Sequence, residues 1–194
     1  MKIVEIMSQS ALFLGLQEEH FKLDIATPEE ETTLLENKQI RSLFNLTRYA
    51  FQELCTNYIP VVEKVSVKTN DKKIEVKDLI NFIRVQNVAK NNENVKYKII
   101  NRSIVFEEDG EYEIEYLTYP NINSMFEEID FLSNFSEDVI VDGLCAYYSL
   151  ANGMFDEFKE FHENYIEKAE NLKELKSFNM AQRRWEWNKK SVWT

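Results

Sequence analysis

The stretch that decides the fold is residues 136–158, which read SEDVIVDGLCAYYSLANGMFDEF. It opens with Ser136-Glu137-Asp138, residue types that cap helix N-termini, and continues as a run that is apolar on nearly every side. Ala151-Asn152-Gly153 interrupts this run, and apolar residues return at helical spacing over residues 154–175. The pattern predicts a central buried helix and a second helix after it, joined by a tight turn as an αα-hairpin.

Two further helical patterns lie toward the N-terminus. Residues 3–16 predict a short amphipathic helix that stops near Gly15, and the segment from there to Ala26 is interpreted as a loop. Thr27 and Glu30 have the spacing of a capping box, with a proline between them in the first turn. Apolar residues then recur at helical spacing until Pro60, so we expect one long helix with a wide apolar face.

Residues 61–119 change from helical to alternating spacing, which predicts a set of β-strands. Asp109-Gly110 lies between two such runs, residues 104–106 and 112–117, and an Asp-Gly pair in that setting predicts a β-hairpin. In the second run, alternate positions are apolar and acidic, so we expect one buried face and one solvated face. The residues predicted to share the buried face are Tyr112, Ile114 and Tyr116.

These elements predict an α+β fold. Its helical bundle consists of the long N-terminal helix and the C-terminal αα-hairpin, with a central antiparallel β insertion over about residues 61–119. Residues 1–176 are predicted to form a single α+β domain, which is long enough to bury a core without disulfides or metals. Residues 177–194 have lost helical periodicity and are interpreted as an extended C-terminal docking arm.

The chain is acidic, and its charge is unevenly distributed. With 23 Lys and Arg against 34 Asp and Glu, the net charge is −11, which argues against phosphate-backbone binding as the main activity. No Lys or Arg occurs from Ser103 through Phe158, whereas the residues from Asn171 onward are basic on balance. An acidic body with a basic, aromatic tail favours assembly of like copies, although simple solvation of surface charge is the plainer alternative.

No catalytic or metal-binding motif is present in the sequence. His20 and His162 have no partner at the spacing of a zinc or di-iron site, and Cys55 and Cys145 are predicted to be buried free thiols. With only 4 glycines, no phosphate-binding loop is expected. We therefore predict a protein that is not an enzyme and has no cofactor or metal. An enzyme with an unfamiliar site would need a deep pocket and perturbed pKa values.

The N-terminal segment does not have the features of a signal peptide. A short apolar stretch is interrupted by Glu5, and no small-residue cleavage site follows it. No apolar run approaches the length of a membrane span. We expect an intracellular location, with no membrane partner.

The C-terminal tail has the most specific functional signal. It combines an Arg-Arg pair with tryptophans, residue types that are enriched at binding hot spots. Either a partner covers these aromatic side chains or the tail folds back onto its own domain. The residues predicted to bind a partner are Phe178, Met180, Arg183, Arg184, Trp185 and Trp187.

Three segments resemble the head-tail connector, or adaptor, proteins of tailed phages and prophages. Residues 43–60 form a helix that runs into the sequence YIP, and residues 111–120 read EYEIEYLTYP. Residues 142–157 include DGLCAYYSL and NGMFDE, and the chain then closes on Arg183-Arg184-Trp185. The likeness spans most of the chain, although the β insertion is larger than the hairpin of the simplest connectors.

The resemblance implies a structural virion protein of the phage neck. Copies would form a homo-oligomeric ring that matches the twelvefold portal protein and would bridge to the next neck or tail protein. The C-terminal arm, residues 178–187, would dock on the portal. Double-stranded DNA would pass through the ring without specific binding.

A neck protein must let DNA slide without adhering to it. Because an acidic lining repels phosphates, we hypothesise that part of the base-free stretch faces the DNA channel. The predicted channel-facing acids are Glu107, Glu108, Asp109, Glu127, Glu128 and Asp130.

An acidic DNA-mimic inhibitor, of the anti-restriction or anti-CRISPR type, is the alternative function. Acidic patches can occupy the basic clefts of enzymes that act on nucleic acids. Such an inhibitor would not need the Arg-Arg-Trp tail. It would also be a monomer or dimer, whereas a connector forms rings or is found in particles.

Overall fold

The computed structural model describes residues 2–129 and 137–190, and it describes side chains in the last helix as far as Glu174. The chain contains helices and two antiparallel sheets, so the predicted α+β class is confirmed. It divides into a helical unit, Met1–Leu54 with Ile122–Thr194, and a β unit, Cys55–Asn121. The β unit includes the predicted insertion at residues 61–119.

The helical unit contains six helices in its described part. They are α1 (Ile3–Phe13), α2 (Gln17–Asp24), α3 (Glu31–Leu34), α4 (Lys38–Asn57), α5 (Asp138–Ala151) and α6 (Phe155–Lys190). The last residues of α4 fall in the β unit. Helix α5 is buried along most of its length, as the sequence predicts for the central helix. The tight joint between α5 and α6 is also confirmed, since Gly153 has φ +74°.

Gly143 allows three helices to approach one another. A Cβ atom at this position of α5 would lie 3.0 Å from the Tyr165 ring of α6 and 3.5 Å from the Cβ of Ala50 in α4. Both neighbours are fully buried. The missing side chain is therefore what permits α4 and α6 to pack against the same turn of α5.

The N-terminal helices differ from the prediction in two places. The segment interpreted as a loop contains α2, whose first turn is acidic and whose last turn carries Lys22, an arrangement that complements the helix dipole. The predicted single long helix is divided into a 3₁₀ turn (Pro28–Glu30), α3 and α4. Its capping signal is nonetheless present, because the Glu30 carboxylate accepts the Thr27 N–H at 3.1 Å.

Asn37 explains where the long helix is divided. Its side-chain oxygen accepts the N–H groups of Gln39 at 2.8 Å and Ile40 at 3.2 Å. This is an ordinary N-cap, so α4 begins as a new helix after it. The apolar spacing continues across Asn37, which is why periodicity alone predicted an unbroken helix.

The β unit contains two antiparallel sheets. The four-stranded sheet has the order β1-β7-β3-β4, and the three-stranded sheet has the order β2-β6-β5. A 3₁₀ turn (Val76–Asp78) follows β2. The strands are β1 (Val61–Thr69), β2 (Lys73–Glu75), β3 (Arg84–Lys90), β4 (Glu93–Asn94), β5 (Lys98–Ile100), β6 (Ser103–Val105) and β7 (Gly110–Thr118).

The predicted hairpin at Asp109-Gly110 is wrong, because β6 and β7 belong to different sheets. The Asp109 carboxylate instead accepts the N–H of Lys72 at 2.7 Å, which ties this connection to the residue before β2. The tight hairpins lie at Asn91-Asn92, between β3 and β4, and at Asn101-Arg102, between β5 and β6. All four of these residues have positive φ, as the type I′ form of a two-residue hairpin turn requires.

The alternation predicted in β7 is confirmed. Tyr112, Ile114 and Tyr116 are 3%, 0% and 3% exposed and form part of the core of the β unit. The Phe106 and Tyr112 rings stack in this core, with their centroids 4.0 Å apart. The acids on the other face are solvated or paired, as in the 2.7 Å contact between Lys64 and Glu113.

The extended arm predicted over residues 177–194 is wrong for residues 177–190, because α6 continues as one helix of 36 residues to Lys190. Residues 191–194 lie outside the described part of the chain. No Gly or Pro follows Gly153, so no residue interrupts the helix. Residues 155–174 contain 7 acids against 3 bases, and residues 175–190 contain 5 bases against 1 acid. This order of charges complements the helix dipole.

Candidate functional site

The predicted partner-binding residues lie on the last part of α6. Residues 178–187 are all within this helix, and their side chains lie outside the described part. A helix of 36 residues is about 54 Å long, whereas α5, with 14 residues, is about 21 Å long. Roughly 30 Å of α6 therefore extends beyond the reach of the helix with which it forms the hairpin.

The first half of α6 is fixed to α4 by a carboxylate. Glu53 Oε2 accepts a hydrogen bond from the Tyr147 hydroxyl at 2.8 Å and another from the Tyr165 hydroxyl. Tyr165 is fully buried, and its ring packs edge-on to that of Tyr147 at 6.3 Å. Hydrogen bonds to a charged group contribute about 1.5–3 kcal/mol each, so this cluster holds α4, α5 and α6 in a defined arrangement.

A second contact lies one turn further along α6. Lys168 donates a hydrogen bond to Asp142 of α5, and the Asp142 side chain is only 11% exposed. Ala169 is the last fully buried residue among the described side chains of α6. These contacts fix the position of the helix at its base, and the segment that carries Arg183 and Trp185 continues from that base.

Sequence reasoning did not single out this cluster. Glu53 is 94 positions from Tyr147 and 112 from Tyr165, so no local spacing connects them. The available signal was Tyr147 itself, a phenol on a helix predicted to be apolar on nearly every side. A buried phenol generally has a hydrogen-bond partner.

The structure does not bring the predicted channel-facing acids together in one unit. Glu107, Glu108 and Asp109 belong to the β unit, whereas Glu127 and Glu128 belong to the helical unit. Asp130 lies outside the described residues.

Several of these acids also have local structural roles. Glu108 pairs with Lys90 at 3.2 Å, and Asp109 accepts the N–H of Lys72. Glu127 accepts the N–H of Asn123 at 2.9 Å. The ion pair with Lys90 offsets part of the charge of Glu108, whereas the bonds from backbone N–H groups orient Asp109 and Glu127 without neutralising them.

Most of the net charge belongs to the helical unit. That unit contains 13 Lys and Arg against 23 Asp and Glu, a net charge of −10. The β unit contains 10 against 11, a net charge of −1. The long-range repulsion of a polyanion such as DNA therefore comes from the helices and not from the sheets.

The histidines are placed as structural residues. His20 Nδ1 lies 2.9 Å from the Ser8 hydroxyl and 3.1 Å from the Ser8 carbonyl oxygen. The His162 ring packs against Phe158 with the centroids 5.0 Å apart. Over residues 2–129 and 137–174, no group of three His, Cys, Asp or Glu side chains is arranged to hold a metal ion.

The two cysteines are buried free thiols, as predicted. Burial raises the pKa of Cys145 to about 12, with a smaller opposing effect from a contact to Ser10 and a further increase from Asp142. The thiolate form, which is the reactive one, is therefore negligible at neutral pH.

A cleft of about 270 Å³ lies beside Ser8, between α1 and the residues that follow α2. Its polar lining comes from Lys2, Glu5, Ser8 and Asp24. The ionisable residues of this lining, Lys2, Glu5 and Asp24, are all exposed, so the cleft does not remove them from solvent.

Comparisons with known proteins do not assign this chain to a family. No protein-family model matches it, and no curated protein matches it. Within the described residues, no helix combines the length and apolar content needed to cross a membrane.

Proposed function

We propose that the chain is a structural virion protein, a head-tail connector of the phage neck. Copies form a twelvefold ring under the portal protein and bridge to the next neck or tail protein. The observation that carries the proposal is α6, a 36-residue helix fixed at its base that extends toward a basic, aromatic C-terminus. This placement gives the Arg-Arg-Trp segment, on which the resemblance to connectors partly rests, the means to reach a neighbouring protein.

A helix changes the way in which the C-terminus would dock. Phe178 and Trp185 are seven residues apart, as are Met180 and Trp187, and seven residues make two helical turns. Partners often bind such helices in grooves that accept anchors at this spacing. We therefore propose that the C-terminal part of α6 occupies a groove on the portal, where arginines pair with carboxylates.

The charge of the helical unit fits a neck through which DNA slides. Its net charge of −10 opposes adhesion of phosphates, so DNA passes without specific binding. We retain the proposal that acids of residues 107–109 and 127–130 face the channel. The protein would lie in the virion neck, and in the host cytoplasm during assembly, without enzymatic turnover.

The test is binding of the purified chain to the portal ring encoded in the same genome. Deleting residues 178–194 should leave the secondary structure of residues 2–174 intact and abolish portal binding. Within the full chain, R183A/R184A should weaken binding to the portal. The matched control is K189A/K190A, which removes the same charge from the same helix at residues outside the predicted partner-binding set and should weaken binding less. Equal binding by the two double variants would contradict the assigned role of the arginines. A chain that stays monomeric and binds a nuclease instead would favour the DNA-mimic alternative.

A further inference from the structure

Strand β5 is an open edge of the three-stranded sheet. It pairs with β6 on one side, and no described strand lies on its other side. Ile99 and Ile100 are 53% and 49% exposed. Since adjacent strand residues point to opposite faces, both faces of this edge are apolar. Natural proteins usually guard or cover such an edge, because its free backbone groups can pair with another chain.

The same edge is basic. Lys96, Lys98 and Arg102 are exposed, and none of them forms an ion pair with a described residue. We call residues 96–102 the basic edge. Its cations are unpaired in a β unit whose net charge is only −1, so this edge is a local concentration of positive charge.

Helix α6 presents the opposite charge in a regular row. The row, which we call the acidic stripe, consists of the exposed residues Asp156, Glu160, Glu163, Glu167 and Glu170. Their spacing of four and three residues places them on one side of the helix. The helix dipole favours Asp156, which lies in the first turn of α6, but its effect falls off beyond that turn. Like charges at these spacings destabilise a helix by a few tenths of a kcal/mol per pair, so helix formation does not explain the other four acids. None of the five forms an ion pair with a described residue.

Two exposed apolar side chains lie close in sequence to the start of the acidic stripe. Phe155, the first residue of α6, is 68% exposed, and Leu150, near the end of α5, is 45% exposed. Both surfaces therefore combine apolar groups with charges that are mostly of one sign; on α6 the exception is the exposed Lys159, three residues from Asp156 and four from Glu163. Residues 96–100 span about 13 Å as an extended strand and the acidic stripe spans about 21 Å, so the strand is short enough to lie within the length of the stripe.

We propose that the basic edge of one copy docks on the acidic stripe of a neighbouring copy, with Ile99 and Ile100 against Phe155 and Leu150. Pairing of β5 with its own equivalent is disfavoured because it would bring the like charges of Lys96 and Lys98 together. The two surfaces are different, so the contact is head-to-tail, and repeated contacts of this kind form a ring when the rotation between neighbouring copies closes. The inference rests on the proposed function, in that it names the contact between neighbours in that ring.

Cross-linking between copies of the full chain tests this contact. I99C and F155C chains, distinguished by tags of different mass, are mixed and oxidised. The natural thiols are buried and contribute little background. The matched control replaces F155C with F21C, because Phe21 is also in the helical unit and is 64% exposed. We expect the I99C–F155C product to form on the order of tenfold faster than the control, from a contact with several ion pairs. Equal rates would overturn the proposal.

Charge exchange identifies the residues responsible. K98E/R102E in the I99C chain, or E163K/E167K in the F155C chain, should each abolish the rate advantage. Combining the two altered chains should restore it, because the signs are then opposite again. Failure of this restoration, with circular dichroism showing both chains folded, would overturn the charge pairing.

The cross-linking experiment also distinguishes docking on a second copy from docking on another partner. A single chain that carries both cysteines and cross-links only within itself, at a rate independent of concentration, would show that the two surfaces meet within one copy and would overturn the proposal. Binding of the basic edge to an acidic neck protein, without any cross-link between copies, would do the same. The cross-linking mixture contains no portal, so the two proposals can fail separately. If the cross-link does not form but the chain binds the portal, the docking contact is wrong and the proposed function stands. If the cross-link forms but the chain does not bind the portal, the proposed function is wrong and the contact stands.

Discussion

Gly143 provides the sharpest test of the packing that holds α6. In G143A, the added Cβ would lie 3.0 Å and 3.1 Å from two atoms of the Tyr165 ring, closer than ordinary van der Waals contact. The ring cannot easily move, because it is fully buried and its hydroxyl is bound to Glu53. Overpacking of this kind destabilises by about 1–3 kcal/mol.

The helix propensity of alanine opposes this loss. Replacing Gly by Ala within a helix stabilises by about 1 kcal/mol. We therefore expect G143A to lower the free energy of unfolding by about 1 kcal/mol, and G143V to lower it by more. The measurement is urea denaturation followed at 222 nm, which reports on the helices, most of which lie in the helical unit. A G143A protein more stable than the parent would refute the close contact between α5 and α6.

Three further predictions follow from buried polar groups. Ser149 Oγ is buried without a hydrogen-bond partner among the described residues, so S149A should raise the free energy of unfolding by about 1–2 kcal/mol in the same urea assay. A less stable S149A protein would show that the hydroxyl is satisfied. Burial, followed by a hydrogen bond to Glu63, raises the pKa of Tyr116 to about 12. The phenol ionises first in the unfolded chain, so its contribution to stability is full below pH 10 and is lost as the pH rises toward 12. Alkaline denaturation of Y116F should lack this loss, and an unchanged pH dependence would contradict it. Because the pKa of Cys145 is about 12, a thiol reagent at pH 7.5 should modify Cys145 only as fast as the helical unit unfolds, as measured by mass spectrometry. Rapid modification of the folded chain would be inconsistent with its burial.

Local signals in the sequence were sufficient for the central part of the fold. The α5–α6 hairpin follows from an apolar run and an Asn-Gly joint, both of which act over a few residues. The alternation of Tyr112, Ile114 and Tyr116 likewise reports a buried face directly. Such patterns follow from the number of residues in one helical turn or one strand repeat. That number does not depend on which partner the helix or strand packs against.

Strand pairing could not be predicted in the same way. The Asp109-Gly110 pair satisfies the rule for a hairpin turn, yet β7 pairs with β1, which is far away in sequence, and with β3. The choice between a local and a distant strand depends on how the two sheets share a core, which no spacing rule contains. The Glu53 cluster was missed for the same reason.

The C-terminus shows how a local signal can mislead. The sequence analysis interprets residues 177–187 as a segment that has lost helical periodicity, although Phe178 and Trp185 are seven residues apart. The absence of Gly and Pro and the order of charges along α6 favour a helix instead. A regular apolar spacing arises where a helix is buried against the core of its own protein. A part of the helix that continues beyond that core therefore need not have this spacing.

The helical state of this segment also alters the energetics of any docking. An extended, disordered arm would lose about 1–2 kcal/mol of conformational entropy for each backbone residue that becomes ordered on binding. A segment that is already helical has lost most of that entropy before it meets a partner. Lys168 and Tyr165 fix the base of α6, so the direction of the helix is set by the fold of the helical unit. Binding energy at residues 178–187 would then be available for affinity and for the orientation of one copy relative to the next, which a ring of fixed symmetry requires.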